Sequence, residues 1–147
     1  MAAAAQHLSP SSSELPPPVS FALPWPPSVN TYWRSAVIGG RVRVYVSDKG
    51  KAYRKEAGWR IAGARARAGL AGRVALEIRA FPPDRRKRDL DNTLKAVLDV
   101  MTEVGVWNDD SQVDELTIRR GDVVKGGRLE IRVTPITPPE PTQESML

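Results

Sequence analysis

The sequence predicts an α+β domain: a mixed β-sheet with two helices, in the order ββαβαββ. Segments that alternate apolar and polar residues mark strands, segments with apolar residues three to four apart mark helices, and Gly, Pro or Ser separate them. Val19-Ser-Phe-Ala-Leu23 reads as a short strand stopped by Pro24-Trp-Pro-Pro27. Arg41-Val-Arg-Val-Tyr-Val46 alternates strictly, which predicts a half-buried strand with two arginines on its polar side. Ser47 is placed to cap a helix over 48–68, with Tyr53, Ala57, Ile61, Ala64 and Ala68 along one face. Val74, Leu76, Ile78 and Ala80 mark the third strand. Asn92 to Val104 follows as a helix with Leu94, Val97, Leu98 and Met101 as its apolar stripe and Gly105 as its stop. Strands near 113–121 and 128–134, joined by a turn at Lys125-Gly-Gly127, are expected to pair as a hairpin.

Met1–Pro18, rich in Ala, Ser and Pro, reads as a disordered arm, and 135–147 as a loose Pro-rich tail. That leaves 19–134 as one domain, an ordinary size for a single core. The arm has neither the basic start nor the apolar stretch of a secretory signal, and no apolar run is long enough to span a bilayer. The chain has no cysteine and one histidine, His7. Disulfide scaffolds, thiolate metal sites, cysteine nucleophiles and His-based triads are therefore excluded or disfavoured, so acid–base or metal chemistry falls to carboxylates and lysines. All 22 Lys and Arg, and all of the 17 acids except Glu14, Glu140 and Glu144, lie in residues 20–134. The body is thus more basic than the net +5 of the whole chain, which favours a polyanionic partner.

The chemistry concentrates between the third strand and the second helix, in Asp84-Arg-Arg-Lys-Arg-Asp-Leu-Asp-Asn92. Asp89 and Asp91 flank Leu90, so an extended segment turns both carboxylates to one side. Such a pair suits a hard cation such as Mg²⁺; alternatively Asp91 caps the helix and Asp89 pairs with Arg88. Lys95 lies one turn beyond Asp91, placed to neutralise a phosphoryl group or to pair with Asp91 or Asp99. Arg85, Arg86, Lys87 and Arg88 are suited to phosphates along a nucleic-acid backbone, or to a solvated loop. Asp109-Asp110 after the helix is a second acidic pair, or simply an Asn-Asp-Asp-Ser turn. The helix between is about 20 Å long at ~1.5 Å per residue, so Asp109 or Asp110 reaches Asp91 only if the chain doubles back along it. Trp25, Tyr32, Trp33, Trp59 and Trp107 read as core or loop anchors more readily than as base-stacking platforms.

At these residues the chain resembles the RusA family of Holliday-junction resolvases. The resemblance runs from about Phe21 to Val133. It rests on Leu23-Pro-Trp-Pro-Pro-Ser-Val-Asn30, Pro83-Asp-Arg-Arg-Lys-Arg-Asp-Leu-Asp-Asn-Thr-Leu-Lys95, Gly105-Val-Trp-Asn-Asp-Asp-Ser-Gln-Val113 and Lys125-Gly-Gly-Arg-Leu-Glu130. It implies a homodimeric, Mg²⁺-dependent endonuclease of bacterial or phage-infected cytoplasm that cuts four-way DNA junctions by paired symmetric nicks, with a preference for CC. The family's essential aspartates map onto Asp89, Asp91 and Asp110, and its important basic residues onto Arg88 and Lys95. Two rival readings remain, a branched-DNA binder that does not cut and a nuclease for flaps or other branched DNA. Two symmetric nicks need two sites, and a chain with one aspartate set and no internal repeat supplies them only as a two-fold dimer.

Overall fold

The structure is a computed structural model, and it describes residues 14–138. The expected arm and tail therefore lie mostly outside the described residues, as does His7. The strands are β1 (Val19–Pro24), β2 (Trp33–Ile38), β3 (Arg41–Val46), β4 (Val74–Phe81), β5 (Val113–Arg120) and β6 (Arg128–Pro135). The helices are α1 (Val29–Tyr32), α2 (Asp48–Gly63) and α3 (Asp91–Val104). The α+β class holds, with three helices rather than two. There are two sheets, one four-stranded in the order β1-β6-β4-β5 and one a two-stranded β2–β3 ribbon.

The four-stranded sheet is mixed: β6 runs antiparallel to both β1 and β4, whereas β5 runs parallel to β4. Alternation along β4 buries Val74, Leu76, Ile78 and Ala80 and leaves Glu77 and Arg79 outside. Opposite them, β6 buries Leu129, Ile131 and Val133. The core closes over this face with Tyr53, Ala57 and Ile61 of α2 and Ala96, Val97, Val100 and Met101 of α3. Each large aliphatic side chain so buried contributes roughly 1.5–3 kcal/mol. On the open face Glu77 sits opposite Arg132 and Arg79 opposite Glu130, a charge-paired surface that keeps this side of the sheet wetted.

β3 is not half-buried as its alternation predicts: Val42 and Val44 stay exposed, because only the base of the ribbon, Trp33 and Val46, packs on the core. Three further expectations need correction. The hairpin between the last two strands does not form, because β4 lies between β5 and β6. The connection Gly121–Gly127 steps across the end of β4, bonded to it through Gly121 N–H to the Ala80 carbonyl (2.8 Å) and Val124 N–H to the Pro82 carbonyl (2.9 Å). Seven residues span two strand spacings of ~4.8 Å, which a tight two-residue turn cannot. Second, α2 ends at Gly63 rather than continuing to 68. Arg65 takes a left-handed φ of 58° and breaks the helix, so Ala66 is buried while Ala64 and Ala68 stay exposed. Third, Gly39-Gly40, with φ of 60° and 77°, turns Trp33–Val46 into a hairpin, adding a strand that the sequence pattern does not reveal. Ser47 caps α2 as expected, accepting from Gly50 N–H at 3.1 Å, and Gly105 stops α3 at a φ of 96°.

Gly127 has a φ of 70°, and a Cβ there would lie 2.9 Å from the Trp25 Cβ and 3.0 Å from the Pro83 Cδ. Gly126 has a φ of 79° but open space around it. Gly126→Ala is therefore expected to cost about 1 kcal/mol of backbone strain, and Gly127→Ala about 2–4 kcal/mol as clashes add. Urea unfolding midpoints of the two variants check this; equal losses would place the cost in the turn alone.

Candidate nucleic-acid and metal-binding site

The loop from Phe81 to Leu90 leaves the C-terminal end of β4 and delivers the chain to α3. Its shape is set by Asp84, which accepts from the Arg86 backbone N–H at 2.9 Å. Asp84 also takes both terminal nitrogens of Arg88, the second at 3.0 Å. The Arg88 guanidinium lies 5.9 Å from the Trp25 ring centroid, and its carbonyl accepts from Arg120 at 2.7 Å. Arg88 is thus half-buried and engaged on several sides, not paired with Asp89. Arg85, Arg86 and Lys87 stand exposed beside it. The Arg88 hydrogen bonds, then the Arg86 backbone N–H, hold the Asp84 carboxyl down at about 2.

Asp89 and Asp91 follow, both exposed, at the N-terminal end of α3. Asp91 is the first helical residue and not the cap; Leu90 holds the cap position and offers no side-chain bond. The turn is closed instead by Asn92 N–H on the Asp89 carbonyl and the Thr93 hydroxyl on the Leu90 carbonyl (2.8 Å). Neither carboxylate has a salt-bridge partner among the described residues. Asp89 borders a cleft of about 260 Å³ with Trp25, Ser28, Arg88 and Asn92. A neighbouring groove of about 410 Å³ holds Asn30, Trp33, Arg34 and Lys95. The Lys95 Nζ sits 5.3 Å from the Trp33 ring centroid rather than on a carboxylate.

Asp99 lies one turn beyond Lys95 and is committed elsewhere. One of its oxygens accepts from the Tyr32 hydroxyl (2.7 Å) and from Arg54 (2.7 Å), tying α1, α2 and α3 together. Burial, then the bond to Asp99, pushes the Tyr32 hydroxyl well above its ordinary range, so it remains a donor. Satisfied by Arg54, Asp99 leaves the Lys95 ammonium free for other charge.

The second acidic pair divides by role. Asp109 caps the short 3-10 turn Asp110–Gln112, accepting from Ser111 N–H at 3.0 Å, and the Ser111 hydrogen bonds hold its carboxyl below the usual range. Gln112, buried and missed in the sequence, fixes the turn. Its oxygen accepts from the Asn108 and Asp109 N–H groups, and its nitrogen donates to the Leu70 and Gly72 carbonyls. A lone Gln after an Asn-Asp-Asp-Ser run, three residues past the capping Asp, was the available signal. Asp110 is exposed and makes no side-chain hydrogen bond among the described residues.

The structure does not bring Asp110 to Asp89 and Asp91 within one chain. Because β5 is parallel to β4, Val113 pairs with Val74 and Arg120 with Ala80. Asp110 therefore lies at the start of β4, where Arg73 donates to the Ser111 carbonyl. Asp89 lies beyond the end of β4, where Arg120 meets Arg88. The doubling back expected of the chain runs through α3 itself, and β5 then returns toward the first aspartates, leaving Asp110 roughly a helix length, ~20 Å, away. Among the described residues no three acidic or histidine side chains form a metal-holding group.

A family model described as Endodeoxyribonuclease RusA matches residues 24–134. A crossover junction endodeoxyribonuclease RusA of Escherichia coli strain K12 is 45% identical over 115 residues, covering 78% of this chain and 92% of that protein. Crossover junction endodeoxyribonucleases of Enterobacteria phage 82 and phage HK97 are 45% and 42% identical over 114 residues, again covering 78% of this chain and 92% of theirs.

The depressed Asp84 carboxyl makes the loop sensitive to acid. A carboxyl lowered in the folded state contributes stability above its unfolded value of ~3.9, lost as pH falls toward 2. Asp84→Asn is expected to lower the urea midpoint at pH 6, with the gap from the unaltered protein narrowing between about pH 4 and 2. A gap that persists at pH 2 would assign it to lost packing instead.

Proposed function

The chain belongs to the RusA endodeoxyribonuclease family, and from that membership we propose that it is a Mg²⁺-dependent endonuclease that resolves four-way DNA junctions by paired nicks. The observation that supports this most directly is the site at the head of α3. Two exposed carboxylates, Asp89 and Asp91, stand beside three exposed cations, Arg85, Arg86 and Lys87, with Lys95 one turn away. A DNA binder that does not cut gains nothing from placing carboxylates where phosphate must approach. Endonucleases generally use divalent metals, and two hard oxygen donors open to water and substrate phosphate fit Mg²⁺. Among the described residues no helix is long and apolar enough to cross a membrane. The relatives are named as crossover junction endodeoxyribonucleases of a bacterium and a phage, which favours a cytoplasmic site of action.

In this reading Asp89 and Asp91 hold the metal, which when bound polarises the scissile phosphate and makes water a better nucleophile. Arg85, Arg86 and Lys87 fix the flanking phosphates, and Arg88, clamped to Asp84, sets the loop that presents them. Lys95, its charge not neutralised by Asp99, offsets the negative charge that develops as the bond breaks.

Asp110 joins that site from a second copy. A two-fold axis that sets two chains antiparallel along the β5 direction exchanges the two ends of the strand. The partner subunit's Asp110 then comes to the end where Arg120 meets Arg88. β5 is the outer strand of its sheet, with Leu116 exposed, so its edge is open to such an approach. The dimer has two identical sites, which matches the two strands a junction must have cut.

Cleavage of a labelled four-way junction and of linear duplex, each with Mg²⁺ and with chelator, tests the activity. Paired nicks confined to the junction and to Mg²⁺ are expected; equal cutting of both substrates would refute the resolvase reading.

The shared site has its own test. Asp89→Asn/Asp91→Asn and Asp110→Asn proteins should each be inactive yet bind junctions. Unfolded and refolded together in equal amounts, they form heterodimers in which one site has all three aspartates intact. Nicking should then return to about a quarter of the unaltered rate, from statistical mixing of a two-fold dimer. No return on mixing would place each site within one chain.

A further inference from the structure

The β2–β3 ribbon carries charge that the site at α3 does not use. Its register places Arg34 opposite Tyr45, Ala36 opposite Arg43 and Ile38 opposite Arg41. Facing pairs in an antiparallel ladder share one side, so Arg34, Arg41, Arg43 and Tyr45 gather on one face. The intervening pairs Ser35–Val44 and Val37–Val42 lie on the other. Residues 33–46 contain three arginines and no acid. All three arginines are exposed, Tyr45 is 48% exposed, and only the base, Trp33 and Val46, packs on the core. Six residues per strand at ~3.3 Å each give a projection of about 20 Å.

None of the three arginines takes part in a salt bridge among the described residues. Three uncompensated guanidinium groups on a narrow ribbon repel one another, and a ribbon of two strands has little stability of its own. Water and salt screen that repulsion, whereas a dense anion array turns the same three charges into attraction. At the root of the ribbon's basic face, Arg34 and Tyr45 line a groove with Ser47, Asp48 and Lys49, where one acid and one lysine offset each other and leave the ribbon arginines as the net charge. The opposite face joins the groove that contains Lys95. The ribbon therefore rises beside the head of α3 with its guanidinium groups along one side.

We infer that the basic face of the β2–β3 ribbon is a second DNA-binding surface, laid along the phosphate backbone of a duplex arm that enters the α3 site. This rests on the endonuclease reading for the identity of the polyanion. A ribbon of two strands is narrow enough for the major groove, ~12 Å wide, and arginine is suited to bidentate contact with phosphate. Tyr45 offers a hydroxyl to the same backbone.

Binding of the full chain to a labelled four-way junction, measured by fluorescence anisotropy across a salt series in chelator, tests the inference. Arg41→Gln/Arg43→Gln should lower affinity about tenfold near 100 mM salt. The slope of log K against log salt should shrink by about 1.8, roughly 0.9 for each phosphate that is no longer neutralised. Arg41→Lys/Arg43→Lys should keep most of the slope. Lys55→Gln/Arg60→Gln on α2 removes the same charge away from the ribbon and should change affinity much less. Unchanged affinity and slope in the first pair, or an equal fall in the α2 pair, would overturn the assignment. An unaltered protein that binds no DNA would sink the endonuclease reading and this inference together. An unaltered protein that binds well beside an unaffected ribbon variant sinks this inference alone.

Discussion

The parallel pairing of β5 with β4 is the constraint from which the rest of the architecture follows. A parallel neighbour cannot be reached by a tight turn, so the chain must cross the sheet through α3. That crossover puts the head of α3 beyond the C-terminal end of β4, where the loop with Asp84, Arg88, Asp89 and Asp91 sits. It also puts the Asp109–Gln112 turn at the opposite end, held to Leu70 and Gly72 by Gln112. The same pairing leaves β4 as the centre of the sheet, flanked by β5 and β6, and forces the Gly121–Gly127 connection over its end. The Gly127 turn then packs on Trp25, which lies under Arg88. One pairing decision thus fixes both the separation of the acidic residues and the support beneath the basic loop.

Charge in this protein is sorted into groups that hold the fold and groups left to water. Asp84 is satisfied by Arg88, Asp99 by Arg54 and Tyr32, Asp114 by Arg73, and Asp109 by its own turn. These pairs are only partly buried, so their worth is geometric more than energetic: they fix where neighbouring side chains stand. Each satisfied group lies within a few residues of an exposed one. Arg88 adjoins Asp89, Asp99 stands a turn from Lys95, and Asp109 precedes Asp110. The fold anchors the positions from which the exposed charges project.

The sequence was legible where a single period coincides with packing on the main sheet, and not at Arg41–Val46, whose strict alternation forms a strand with both faces exposed. The stripe of Val97 and Met101 and the Tyr53/Ala57/Ile61 face lie buried as their spacing predicts, and β4 alternates as expected. It was less legible where pairing is non-local. Lys125-Gly-Gly127 looks like a hairpin turn because glycine's positive φ serves a strand-crossing loop equally well. Gly39-Gly40 was the true hairpin signal, hidden because Trp33–Ile38 shows no clean alternation of apolar and polar residues. At the site, the aspartates and basic run were visible as residue types, but their distances were not. Local sequence shows that Asp91 and Asp110 flank one helix; only the direction of β5 decides that they face opposite ends. Arg88 illustrates the same gap, since Asp84 and Trp25 claim it through contacts made by folding.

The separation of the aspartates bears on specificity as well as assembly. Three carboxylates in one chain repel wherever that chain folds, whether or not a substrate is present. With Asp110 at the far end, the monomer bears only the repulsion between Asp89 and Asp91, and the third carboxylate would add to it only where two copies meet. A hard cation held by Asp89 and Asp91 would relieve it and would favour the approach of a phosphate. In the proposed dimer, completion of the site would depend on dimerisation, metal and DNA together. Two such sites related by one axis would match a substrate that presents two equivalent strands, as a four-way junction does and a linear duplex does not.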